Sequence, residues 1–160
     1  MPVLNDNPFA VLTAVVARAI LTNACSVLCL GTGNRIARVV DRTRMVAAQL
    51  ASIEPGTPNH QAHVRQLEKL QARSAFLLSA LRSFYASLGC FAGAALISVI
   101  GSTLAFYDWQ FVFRVAAMVG LTIGALGVTG LVAGCSLMVR ETRLAVQTLA
   151  EESGLSRLHQ

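Results

Sequence analysis

From Val115 to Val139 the chain reads VAAMVGLTIGALGVTGLVAGCSLMV, twenty-five residues without a charge, bracketed by Arg114 and Arg140. A run of about 18 or more apolar residues is long enough to cross a bilayer as a helix. Two further runs precede it. The first extends from Pro8 to Leu30 with Arg18 as its single charge, then passes through Gly31-Thr32-Gly33-Asn34 to Arg35. The second begins at Ala75, carries Arg82, and continues uncharged from Ser83 to Tyr107, just before Asp108. The pattern predicts an all-α integral membrane protein, a three-helix bundle with transmembrane helices at about 9–34, 75–107 and 111–139.

Beyond Arg35 the helical pattern continues. Ile36, Val39, Val40, Ala47, Leu50 and Ile53 keep a three-and-four spacing among Arg38, Asp41, Arg42 and Arg44. It breaks at Glu54-Pro55-Gly56-Thr57-Pro58, where Pro-Gly signals a turn and Thr57-Pro58 suits an N-cap followed by proline in the first helical turn. A second arm follows, with Val64, Leu67 and Leu70 on one side and Arg65, Glu68, Lys69 and Arg73 around them. Each arm is about 25 Å long at ~1.5 Å per residue, which predicts an antiparallel helical hairpin over 35–74, between the first and second membrane helices. The stripe Ile36, Val39, Val40, Leu50, Val64 and Leu67 is expected to pack it. The tail, 140–160, is helix-compatible as far as Gly154 and should extend the third helix. All of this forms a single membrane domain, 1–160.

Composition agrees with the pattern. Of 160 residues 54% are hydrophobic and 13% charged, against roughly 25% charged in soluble domains. The net charge of +5 comes from bases at helix ends and in one loop, with no aromatic-interleaved basic motif, so membrane anchoring accounts for it and nucleic-acid binding is not expected. Arg35 to Arg73 contains seven Lys or Arg, and Arg140, Arg143 and Arg157 follow in the tail; the N-terminal lead and the turn at Asp108 have none before Arg114. The positive-inside rule then places the N-terminus outside and the hairpin and C-terminus in the cytoplasm of a bacterial inner membrane. Tyr107, Trp109, Phe111 and Phe113 sit where an outer interfacial belt is expected. No Lys or Arg precedes Arg18, so a cleaved signal peptide is disfavoured, and Asn23-Ala24-Cys25 is a poor lipoprotein site.

The chemistry-bearing residues fall into two groups. Arg18, Thr22, Cys25, Cys29 and Gly33 recur at helical spacing on the first helix, with Asn23 and Ser26 nearby. Polar groups in membrane helices face other helices, so a tight interhelical seam with a snorkelling arginine explains this face. The sharper alternative is a polar path with Arg18 as an anion or proton site, about 25 Å from Arg35 at ~1.5 Å per residue. Small-residue pairs support the seam: Gly89 with Gly93, Gly120 with Gly124, Gly130 with Gly134, and a stripe at Ala117, Gly120, Gly124 and Gly127. They suit internal packing and self-association equally. The second group, Arg35, Arg38, Arg82 and Arg140 with Glu141 as acidic partner, should lie at one depth, as ordinary anchoring charges or as a ring holding anionic lipid headgroups and ion pairs.

Other chemistry is weakly supported. His60 and His63 lie near one another in sequence but lack further ligands, so no metal is expected. The four cysteines, Cys25, Cys29, Cys90 and Cys135, lie in apolar runs without a CxxC, which argues against a disulfide framework and against thiol catalysis. No phosphate loop, HExxH or nucleophile elbow occurs; neither an enzyme nor a cofactor is expected.

The Asn34-Arg35 exit of the first helix, the basic segment IARVVDRTRMV over 36–46, the long helical return into the second crossing, and Arg140-Glu141 closing the third together resemble the domain-of-unknown-function 2721 family of small bacterial membrane proteins. The resemblance covers nearly the whole chain and implies architecture and location, with no activity or site residue to transfer. The expected role is that of a structural or interaction protein in the lipid bilayer, self-associating as a homo-oligomer or binding a cytoplasmic or membrane protein through its hairpin. The alternative is an oligomeric ion channel or transporter-like conduit lined by the first helix.

Overall fold

A computed structural model of the chain describes the backbone of residues 8–105 and 110–157, with most side chains between 13 and 146. Three long helices account for nearly all of it: α1, Pro8–Ala51; α2, Pro58–Ala105; and α3, Gln110–Arg157. There is no strand among the described residues. All three are long and apolar enough to cross a membrane. In hydrocarbon a helix is the local solution because it satisfies its own backbone polar groups. α3 runs through Gly154, beyond the end expected from the glycine, to Arg157, the last of the described residues. The expected aromatic belt falls in part outside the described residues, at Tyr107 and Trp109; Phe111 is 79% exposed.

The turn between α1 and α2 forms as its residue types dictate. The Ser52 and Ile53 amides donate to the Gln49 and Leu50 carbonyls, a tightened last turn that ends α1. Gly56 takes a φ of 94°, a conformation glycine adopts without a Cβ clash. The Thr57 hydroxyl accepts from the His60 amide at 3.3 Å and donates to the Glu54 carbonyl at 2.9 Å, capping α2, whose first residue is Pro58.

Buried positions recur every seven residues on each helix. On α1 they are Cys25, Cys29, Thr32, Val39 and Val46, with half-buried Ile36, Thr43 and Leu50 completing an alternating four-three spacing. On α2 they are Leu70, Leu77, Ala80, Phe84, Ser87, Phe91, Ala94 and Gly101. On α3 Gly120, Gly127, Gly134 and Glu141 are buried, all seven apart. A 3.5-residue period is the seam of coiled-coil packing. The opposite faces carry large exposed apolar side chains, among them Ile20, Val27, Leu30, Leu96, Ile100, Leu121 and Leu126. In water such surface would be a liability; in a bilayer it faces acyl chains.

The chain forms two compact units. One comprises Met1–Cys29 and Ser83–Val132. Its close approaches depend on glycine: a Cβ at Gly127 would lie 2.8 Å from Phe91 Cε1, and one at Gly130 would lie 2.6 Å from the Ser87 hydroxyl. Gly101 similarly faces the Ala116 methyl, at 3.1 Å from its own absent Cβ. The expected pair Gly89 and Gly93 has open space around both residues, as has Gly124, and Ala117 is exposed. Gly101, Gly127 and Gly130 are thus the glycines with close neighbours, whereas Gly89, Gly93 and Gly124 meet nothing within 4 Å.

The other unit comprises Leu30–Arg82 and Ala133–Gln160. Val39, Val46, Leu70 and Leu77 form its buried apolar cluster, with Ile36 and Leu67 packed against them. Val40, expected in this stripe, is 37% exposed because the packing follows the 3.5-residue repeat, which passes through Val39 and Thr43 and leaves Val40 to one side.

Candidate functional site

Glu141 is the centre of the charged cluster in the second unit. It continues the α3 register of Gly120, Gly127 and Gly134, so the helix that buries three glycines also buries a carboxylate, 3% of whose side chain is exposed. Burial of a lone carboxylate is costly, and arginines answer it. Arg73 of α2 donates from Nε at 3.0 Å and from Nη2 at 2.8 Å, both to Oε1. Arg35 of α1 approaches Oε2 with Nη1 at 3.5 Å, and the same nitrogen lies 3.4 Å from the Thr142 hydroxyl. Three helices thus meet at one carboxylate. Its two contacts are unequal: the Arg73 fork is short and doubly bonded, whereas Arg35 is longer and 46% exposed.

Only Arg35 of the four arginines expected around Glu141 reaches it. Arg38 is exposed and its Nε donates to the Asn34 carbonyl at 3.3 Å. Arg82 and Arg140 are exposed, on faces away from the buried register. Arg73 is the partner that reading by membrane depth overlooked. Its signal lay in spacing, since it stands four residues before Leu77 and seven before Ala80 in the α2 repeat. Nearby, the buried Thr32 hydroxyl donates to Met138 Sδ at 3.4 Å, joining α1 to α3.

A groove of about 500 Å3 opens beside the cluster, lined by Arg35 from α1 and by Met138, Val139, Thr142, Arg143 and Val146 from α3. Its floor is mostly aliphatic. Its cations stand where the uncharged run of α3 ends.

In the first unit, the polar face of α1 divides. Arg18 donates from Nη1 to the Ser98 hydroxyl, which itself donates to the Ala94 carbonyl at 2.8 Å. Thr22 is half-buried, and its carbonyl accepts from the Ser26 hydroxyl at 3.0 Å. Cys25 and Cys29 are buried, while Asn23 is exposed. The buried line continues to Thr32 in place of the expected Gly33, which is only half-buried. Every fully buried side-chain nitrogen or oxygen among the described residues has a hydrogen-bond partner. His63 Nδ1 lies 2.8 Å from the Asn59 carbonyl, and among the described residues no three of His, Cys, Asp and Glu converge as a metal site would require.

Three helices able to cross a membrane, with large apolar side chains exposed on their outer faces, define a multi-pass membrane protein. The chain belongs to the family described as Protein of unknown function (DUF2721), which matches residues 15–151. No curated protein and no solved structure matches it.

Proposed function

We propose that this chain is a non-enzymatic protein of the bacterial inner membrane whose cytoplasmic helical hairpin, 35–74, self-associates or binds a partner protein. The supporting observation is apolar surface left over once the second unit has filled its core. Val39, Val46, Leu70 and Leu77 are buried together, yet Val40, Met45, Leu144 and Val146 remain exposed in segments rich in charge. Lipid can cover exposed aliphatic residues within the apolar runs, but these four lie past Arg35 and Arg140, where the bases mark the cytoplasmic boundary. Large apolar side chains that lipid does not cover are available to a second protein surface.

Native mass in a mild detergent or nanodisc, with and without Met45→Glu plus Val146→Glu, tests the proposal. An oligomer that the substitutions reduce to monomer supports self-association. A monomer that crosslinks one defined protein through Met45→Cys supports the partner arm. A monomer that crosslinks nothing, or an oligomer indifferent to the substitutions, removes the role of this surface. The proposed orientation is checked by Ser52→Cys, which should label only from the cytoplasmic side.

The competing reading, an oligomeric conduit lined by α1, draws on Arg18 held by Ser98 within apolar segments. Against it, Cys25 and Cys29 of the same face are buried inside their own unit. A conduit predicts that Arg18→Ala alters ion flux in liposomes; a measured flux indifferent to that change takes Arg18 off the path.

A further inference from the structure

The groove beside Glu141 has the composition of a lipid site and not that of a water-filled cleft. Met138, Val139 and Val146 supply an aliphatic lining, and Arg35, Thr142 and Arg143 supply cations and a hydroxyl. Val139 is the last residue of the uncharged run that begins at Val115, and Arg35 is the first charged residue after Arg18 on α1. The groove therefore lies where hydrocarbon gives way to headgroups. An occupant must be apolar at one end and anionic at the other.

The charges around it do not cancel. Arg73 engages Glu141 Oε1 through two short bonds, so that pair is self-contained. Arg35 is left with the longer 3.5 Å contact to Oε2 and the 3.4 Å contact to Thr142, and Arg143 is exposed beside it. One carboxylate faces three guanidinium groups, leaving a surplus of two positive charges, those of Arg35 and Arg143, on the groove side. Arginine forks match phosphate oxygens; the Thr142 hydroxyl, which donates to the Met138 carbonyl at 2.9 Å, accepts from Arg35 and steadies it beside the groove.

We propose that this groove binds one anionic phospholipid of the cytoplasmic leaflet, its phosphate held by Arg35 and Arg143 and an acyl chain lying along Met138 and Val139. Arg35 then serves two anions: the carboxylate inside, which orients it, and the phosphate outside, which it binds. Arg38, Arg82 and Arg140 remain ordinary anchoring charges outside the site.

The test is native mass spectrometry of the full-length protein titrated with phosphatidylglycerol or phosphatidylcholine, with inorganic phosphate as competitor. Phosphatidylglycerol should be retained as one tightly held lipid, with phosphatidylcholine weaker and millimolar phosphate unable to displace it. Arg143→Gln should weaken binding about fivefold, and Arg35→Gln plus Arg143→Gln about thirtyfold, from the worth of a base at an anionic surface. Arg38→Gln plus Arg140→Gln removes the same charge outside the groove and should leave that lipid in place. Val139→Trp keeps every charge but fills the groove, and should abolish retention in a protein whose helicity is unchanged. Equal loss in the Arg38/Arg140 control would overturn the site in favour of diffuse surface attraction, and retention in the Val139→Trp variant would overturn the groove. Displacement by inorganic phosphate would reduce it to an anion site. A second copy of the chain in place of lipid, with its mass sensitive to Val139→Trp, would make it a protein interface.

Discussion

Arg73 places both its Nε and its Nη2 on a single oxygen of Glu141, at 3.0 and 2.8 Å, and thereby joins α2 to the one buried carboxylate of α3 in the described structure. Arg35 reaches the other oxygen only at 3.5 Å and from a half-exposed position. The two arginines should therefore differ in energetic weight although both touch the same group.

Glu141→Gln should destabilise the protein by about 3 kcal/mol, since removing one member of a buried pair leaves the other charge uncompensated. Arg73→Gln should approach that value, whereas Arg35→Gln should cost under about 1 kcal/mol, as an exposed contact does. Double-mutant cycles in mixed-micelle unfolding measure this directly. Equal coupling of Glu141 to the two arginines would contradict the asymmetry.

Gly130→Ala should destabilise by roughly 1–3 kcal/mol, the usual penalty of overpacking, because its methyl would meet the Ser87 hydroxyl at 2.6 Å. Ser87→Ala in the same chain removes that oxygen and should restore most of the loss. Gly124→Ala, with open space around it, should be neutral or slightly stabilising. The three melting temperatures provide the check, and failure of Ser87→Ala to rescue would mean that the backbone resists instead.

Leu70→Ala should cost about 2–5 kcal/mol as a buried truncation, and Val39→Asp plus Leu70→Asp should expose 35–74 to protease while leaving membrane insertion intact. Val40→Ala, at a partly exposed position, should stay within about 0.5 kcal/mol. Protease sensitivity after the Val40 change comparable to that of Val39→Asp would mean that the seam runs through the other register.

Ser98→Ala should lower stability by about 1 kcal/mol, the scale of an interhelical hydrogen bond in a membrane, because Arg18 loses its hydroxyl partner. Arg18→Leu in the same background should then recover stability, since no cation remains to be satisfied. Unfolding in bicelles reads both changes, and a further loss on adding Arg18→Leu would show that Arg18 has a stabilising role apart from Ser98.

The sequence by itself determined the class of this protein. Three long apolar runs admit few structures in a bilayer other than helices, and Pro55-Gly56-Thr57-Pro58 could only be a break with a capped restart, as the Thr57 hydroxyl confirms. Tertiary structure alone decided which side of each helix faces inward. Lipid is as apolar as leucine, so a membrane helix lacks the polarity contrast that marks the buried face of a soluble one. Thr32 and Gly33 were therefore equivalent in sequence until packing at a 3.5-residue period buried Thr32; past Arg35, the adjacent identical side chains of Val39 and Val40 were told apart only by that same register, which buried Val39. The same repeat brought Arg73 to Glu141, while Arg140, adjacent to Glu141 in the chain, turned outward because neighbouring residues on a helix point about 100° apart.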